Sequence, residues 1–211
     1  MSRALQILFN TEMVRAILDG RKDATRRIVK GFIPDDAVWG YTAFTPKGYI
    51  SCRGTFADGY GEKFFKLPCE PGNILYVRET WKKAPNGYYY YEDWQRNDIA
   101  DVTKWEPSIH MPKEAARIWL KVTNVRVERL QDITPKGAES EGVGNLFYDD
   151  IGYGEKNYGT EVDTEYGIAK EQFAWLWEST IKKSDLDRYG WDANPWVWVI
   201  EFERCEKPEG V

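Results

Sequence analysis

The feature that most limits how this chain can fold is an alternation of apolar residues over 116–130. Ile118, Leu120 and Val122, then Val125 and Val127, recur at two-residue spacing on either side of a break near Asn124, and Leu130 closes the run. A period of two puts alternate side chains on opposite faces of a strand, so the segment predicts a long β-strand with one buried face. Residues 196–202, Trp-Val-Trp-Val-Ile-Glu-Phe, predict a strongly apolar final strand. The turn Pro71-Gly72-Asn73 leads into a third, over 74–81. Further strands are expected at 5–9, at 38–44 and 49–53 around the turn 45–48, and at 88–91, with 60–66 undecided.

Helices frame this sheet. Asn10 is a natural N-cap for a helix over 10–19, whose apolar face is Met13, Val14, Ile17 and Leu18, and Gly20 supplies its left-handed end. Thr134 and Pro135 suit the cap and first position of a short helix over 136–141, ending near Gly142. Ile168, Ala169, Phe173, Leu176, Trp177 and Ile181 recur at three and four, an amphipathic helix read as core packing. Strands and helices in this order predict an α+β fold.

At 211 residues the chain can form one well-cored domain with insertions. Residues 143–167, rich in glycine, tyrosine and acid without period, read as an acidic insertion or lid. No apolar run approaches the about 20 residues that span a bilayer, and the first residues lack the long apolar segment of a signal peptide. The expectation is a cytoplasmic protein without membrane partners. Three widely spaced cysteines and one histidine leave few ligands for zinc, so neither metal nor cofactor is expected.

A net charge of −5 argues against binding nucleic acid mainly through non-specific phosphate contacts. The charge is uneven: residues 1–30 hold seven cations and three acids, +4, whereas 131–170 hold three cations and nine acids, −6. A local basic mouth of that kind favours one nucleotide or a short single strand over a long duplex.

That mouth centres on 20–27, Gly-Arg-Lys-Asp-Ala-Thr-Arg-Arg, read as a loop following the first helix. Lys22 suits a phosphate ligand or a base, Thr25 a nucleophile or hydrogen-bond donor, and Arg27 a bidentate anion clamp. The same run also suits a solvated basic turn whose cations are favoured by a helix C-terminus. Residues 105–112, bounded by Pro107 and Pro112, read as a fixed loop carrying Ser108 and His110, the single histidine.

Gly20, Lys22, Thr25 and Arg27 stand in the pattern G-x-K-x-x-T-x-R, which resembles the signature of the ASCH domain, a branch of the PUA-like superfamily of small β-barrels associated with RNA and modified bases. Other strings follow in the expected order: Gly72-Asn73-Ile74-Leu75, Ala138-Glu139-Ser140-Glu141, and a terminal Ile200-Glu201-Phe202. Arg78-Glu79-Thr80-Trp81 and the 107–112 loop resemble the phage-encoded branch. The resemblance implies a single PUA-like (ASCH) small β-barrel over 1–211, with flanking helices and loop insertions at 31–70, 82–112 and 143–167.

It also implies chemistry. The N4-acetylcytidine amidohydrolase family within this group would make Lys22 the proton acceptor, Thr25 the nucleophile and Glu141 the proton donor, without a metal. Arg26, Arg27, Arg78, Trp81, Ser108 and His110 would bind substrate. The functions implied are binding of RNA or a modified nucleoside at the barrel mouth, deacylation of a modified nucleoside, or a non-catalytic role as a phage accessory or assembly protein.

Overall fold

The computed structural model describes residues 4–93, 104–143 and 166–209. In chain order these form β1 (Ala4–Leu8), α1 (Thr11–Leu18), β2 (Ala24–Ile28), β3 (Val38–Gly40), β4 (Tyr49–Phe56), β5 (Gly59–Lys66), β6 (Ile74–Arg78), β7 (Trp81–Ala84), β8 (Gly87–Tyr90), β9 (Trp119–Arg129), α2 (Pro135–Ser140), α3 (Tyr166–Thr180), α4 (Leu186–Tyr189) and β10 (Trp196–Cys205). The expected acidic lid falls almost wholly outside the described residues. No helix among them is long and apolar enough to cross a membrane.

The main sheet has the order β1-β6-β9-β10-β2. β1 runs parallel to β6, and the other neighbours are antiparallel. Its centre is the β9–β10 ladder, and the break near Asn124 is a bulge: Asn124 pairs with Glu201 but Val122 with Phe202, so Thr123 is the extra residue. β10 is apolar on both faces because both are covered. Trp198 and Ile200 face one core with Phe9, Val14, Ile17 and Leu120. Val197 and Val199 face a second core with Leu130, Phe173 and Trp177. Each such aliphatic side chain contributes about 1.5–3 kcal/mol when fully buried.

The fold is therefore α+β, as the sequence predicts. The ladders among the described residues do not by themselves close the barrel expected from the resemblance. Among the described residues no ladder joins the two edge strands, β1 and β2, and the sheet is open in its backbone pairing. Side chains span the gap instead: the Arg27 guanidinium of β2 donates to the Leu8 carbonyl of β1 at 3.1 Å.

Several local expectations shift. The strand expected at 38–44 is only three residues long, and 60–66, left undecided, is a full strand. Together β3, β4 and β5 make a separate three-stranded sheet from the expected insertion at 31–70. It docks on the main sheet through Trp39, whose ring lies edge-on to Trp196, Trp198 and Phe65. The strand expected over 74–81 ends at Arg78, and Trp81 begins a hairpin with β8.

Candidate functional site

The site begins at the end of α1. The Asn10 side chain accepts from the Met13 amide at 2.9 Å and starts the helix. Gly20, with φ of 74°, ends it, and the Arg21 and Lys22 amides both donate back to the Ala16 carbonyl at 2.8 and 3.1 Å. That return delivers Lys22 into a backbone bridge with Glu141, just beyond α2. The Asp23 amide then donates to the Ser140 carbonyl at 3.0 Å, and the chain enters β2.

Residues 24–28 are thus an edge strand and not the loop expected from their charge. Their ladder with β10 pairs Thr25 with Ile200, Arg26 with Val199 and Arg27 with Trp198. Lys22 is 3 % exposed, Thr25 1 % and Arg26 3 %, so the solvated-turn reading fails at these three.

Burying cations requires partners, and Glu141 supplies them. The Lys22 ammonium donates to Glu141 Oε2 at 2.6 Å and to the Glu141 backbone carbonyl at 2.8 Å. Arg26 Nη1 donates to Glu141 Oε1 at 3.2 Å, while its Nε and Nη2 grip Glu128 Oε1 at 3.0 and 2.6 Å. The Arg26 guanidinium also lies 5.5 Å from the Phe173 ring centroid. Glu128 was not singled out in the sequence, although it alternates with Arg126 on the polar face of β9, which is the signal that could have found it.

Arg27 behaves differently. Its guanidinium donates to the Arg26 and Leu8 carbonyls, each at 3.1 Å, and sits 5.4 Å from the Phe9 ring centroid, with no carboxylate in ion-pair contact among the described residues. Burial lowers its pKa, and Glu141 opposes that shift. The Lys22 ammonium is 5.5 Å from the same Phe9 ring. Burial lowers the Lys22 pKa, Glu141 opposes this by charge and hydrogen bond, and Arg27 and Arg26 lower it further, leaving it below the ordinary lysine value.

The Thr25 hydroxyl is buried and has no hydrogen-bond partner among the described residues, Lys22 included. A buried hydroxyl without a partner is costly and therefore notable. The lowered pKa makes Lys22 easier to deprotonate than an exposed lysine.

A cleft of about 250 Å³ opens beside this network, lined by Met13, Arg26, Arg27, Glu141, Phe173 and Trp177 among others. A second, of about 380 Å³, shares Met13, Arg27 and Thr180 with it and extends along β1 to Gln6. The two form one groove with Arg27 at its middle. Phe173 and Trp177, expected only as core, are both core and wall.

The other expected binding residues lie apart from this cleft. Arg78 donates to Gln6 Oε1 at 2.7 Å and to the Ile109 carbonyl, so it reaches the far end of the groove only through Gln6. Trp81 is 8 % exposed, packs on Tyr88, belongs to a third core with Met111 and Trp119, and lines neither cleft. Ser108 and His110 sit in a 3₁₀ turn on the Arg78 side, where His110 is exposed and lines neither cleft. Among the described residues no cluster of three His, Cys, Asp or Glu is arranged to hold a metal.

Compared with known proteins, the chain matches no family model, no curated protein and no solved structure.

Proposed function

We propose that this chain is an ASCH/PUA-like protein that takes a modified nucleoside, or the exposed nucleotide of a short RNA strand, into the groove between β2 and α3. The observation that carries this reading is the buried Lys22–Glu141–Arg26 network at the foot of a cleft that Arg27 also lines, Arg27 making no ion pair with a carboxylate among the described residues. An apolar cleft with a few convergent polar groups is the usual form of a small-ligand site. Phe173 and Trp177, largely buried, border the cleft as an apolar wall, and Arg27 supplies donors for a phosphate or carbonyl oxygen. The paired acids leave the cleft a single net cationic contact, which suits one nucleotide and not a duplex.

A second reading is favoured by the buried Thr25 hydroxyl, which has no partner among the described residues and lies in the same short run as Lys22, itself paired with Glu141. In an amidohydrolase, Thr25 Oγ1 would form a bond to the acyl carbon while its proton passes to neutral Lys22. Glu141 would protonate the departing nitrogen as the C–N bond breaks, and water would then release the acyl group as a carboxylic acid. Thr25 and Lys22 are not hydrogen-bonded as the protein stands, so this reading requires a substrate-induced approach.

Purified protein would be titrated with a panel of modified nucleosides, N4-acetylcytidine first, with binding followed by calorimetry and deacylation by chromatography. Binding weakened by Arg27→Ala supports the reader. Turnover lost in Lys22→Ala, Thr25→Ala and Glu141→Gln establishes the hydrolase. Neither binding nor turnover across the panel and short RNA strands sinks both.

A further inference from the structure

We infer that the groove takes two nucleoside units joined by one phosphodiester, with the phosphate at Arg27 and the second unit in the half that runs along β1; this rests on the nucleoside reading above. The cleft beside the Lys22–Glu141 pair holds about 250 Å³, below the roughly 300–1,000 Å³ usual for a ligand pocket. The neighbouring cleft, of about 380 Å³, shares Met13, Arg27 and Thr180 with it, and only the two together reach well into that range. A ligand confined to the first half would leave the larger one unused.

Charge decides what can lie at the junction. Among the described residues, the charged side chains lining either cleft are Arg26, Arg27 and Glu141. Lys22 and Arg26 share Glu141, and Arg26 also holds Glu128, so these two cations and two acids cancel. What remains is Arg27, which lines both clefts. Two of its five N–H groups donate to the Arg26 and Leu8 carbonyls, and the others are left for a ligand. One cation between balanced or neutral linings matches one negative charge flanked by neutral groups. A phosphodiester within a strand carries a single charge, whereas a phosphate monoester carries about −1.5 to −2 at neutral pH.

The half along β1 suits a polar, uncharged unit. Gln6 Oε1 accepts from Arg78, and Asn10 Oδ1 accepts from the Met13 amide. Both amides are thereby oriented, and their NH₂ groups make no hydrogen bond among the described residues. Both side chains are exposed, so they can donate to a base carbonyl, a ring nitrogen or a ribose oxygen. Leu8, 40 % exposed, and Met13 add an apolar ledge for the rest of the unit. Among the described residues no carboxylate lines this half to repel the phosphate.

Each nucleoside of the panel, N4-acetylcytidine first, is titrated by calorimetry into the full chain beside three derivatives: its monophosphate, its phosphodiester to uridine on the 3′ or 5′ side, and the matching methylphosphonate. The methylphosphonate keeps both units and removes the charge. The diester is expected to bind about tenfold or more tighter than the free nucleoside. That advantage should vanish in the methylphosphonate and with Arg27→Ala, and should be partly kept by Arg27→Lys. Gln6→Ala should weaken the dinucleoside more than the monophosphate. A nucleoside or monophosphate bound as tightly as the dinucleoside overturns the inference and leaves the nucleoside reading standing, as does a methylphosphonate that matches the diester. Absence of binding by every compound overturns both.

Discussion

The Lys22 ammonium and the Glu141 carboxylate meet at 2.6 Å across 119 residues of sequence, with side-chain exposures of 0 % and 4 %. A pair so enclosed gains from mutual attraction but would leave either partner stranded without the other. Glu141→Gln should cost about 3–5 kcal/mol in urea unfolding. Lys22→Met/Glu141→Gln should lose clearly less than the sum of the two single variants. Additive losses would mean that the two groups do not interact.

Gly142 holds that pair in register. Its φ is 88°, and a Cβ there would lie 2.7 Å from the Ala16 Cβ and 3.2 Å from the Lys22 Cβ. Neither neighbour is the far end of a flexible chain, so Gly142→Ala must displace α1 from the Glu141 turn or strain the backbone. A loss of about 1–3 kcal/mol is expected, together with weakened ligand binding, because Glu141 is the preceding residue. An alanine variant as stable as the parent would refute this close packing.

Glu79, 2 % exposed, has its pKa raised by burial, with Arg117 opposing the shift and Asp93 and Glu92 adding to it. The folded state therefore holds a proton that the unfolded chain has lost, in the window above the ordinary value of 4.5. The stability from this group is complete below that value and is lost as pH rises through the folded pKa. The melting temperature of the parent relative to Glu79→Gln should accordingly fall as pH climbs from 4.5. A difference that rises with pH would reverse the sign and contradict the account.

Burial pushes the Cys52 and Cys69 thiols up to about 11, Asp36 adding to the shift at Cys52. Since the thiolate is the reactive form, both should resist a thiol reagent at pH 8 in the native protein, while the partly exposed Cys205 reacts first. All three should react in guanidinium. Prompt native labelling of Cys52 would show that the β3–β4–β5 sheet opens readily.

Much of the scaffold was legible because burial alternates where the sequence alternates. The Ile118–Leu120–Val122 spacing foretold β9, and its break at Asn124 foretold the bulge. The run 24–28 was misread for a physical reason. Alanine, threonine and two arginines carry no apolar period, and the acids that make their burial tolerable, Glu128 and Glu141, lie over a hundred residues away. Local periodicity has no access to such partners. Trp81 is similar: a tryptophan beside a charged string suits a pocket or a core, and only the fold shows its packing on Tyr88 and in Trp119's cluster. Lys22, Thr25 and Glu141 were nameable from the sequence, whereas the cleft walls, Phe173 and Trp177, were visible only as a helical stripe.

Among the described strands β2 pairs with one alone, β10, which lies far along the sequence from it. During synthesis the stretch bearing Thr25, Arg26 and Arg27 is made well before its hydrogen-bonding partner. Until Trp196–Cys205 emerges, those arginines belong to an unpaired segment, and the groove that Arg26 and Arg27 line does not exist. Synthesis of β10 is thus the event that switches the site on, and a product stopped short of Trp196 would carry every candidate site residue yet lack the site, a difference that ligand binding by such a truncated chain would expose.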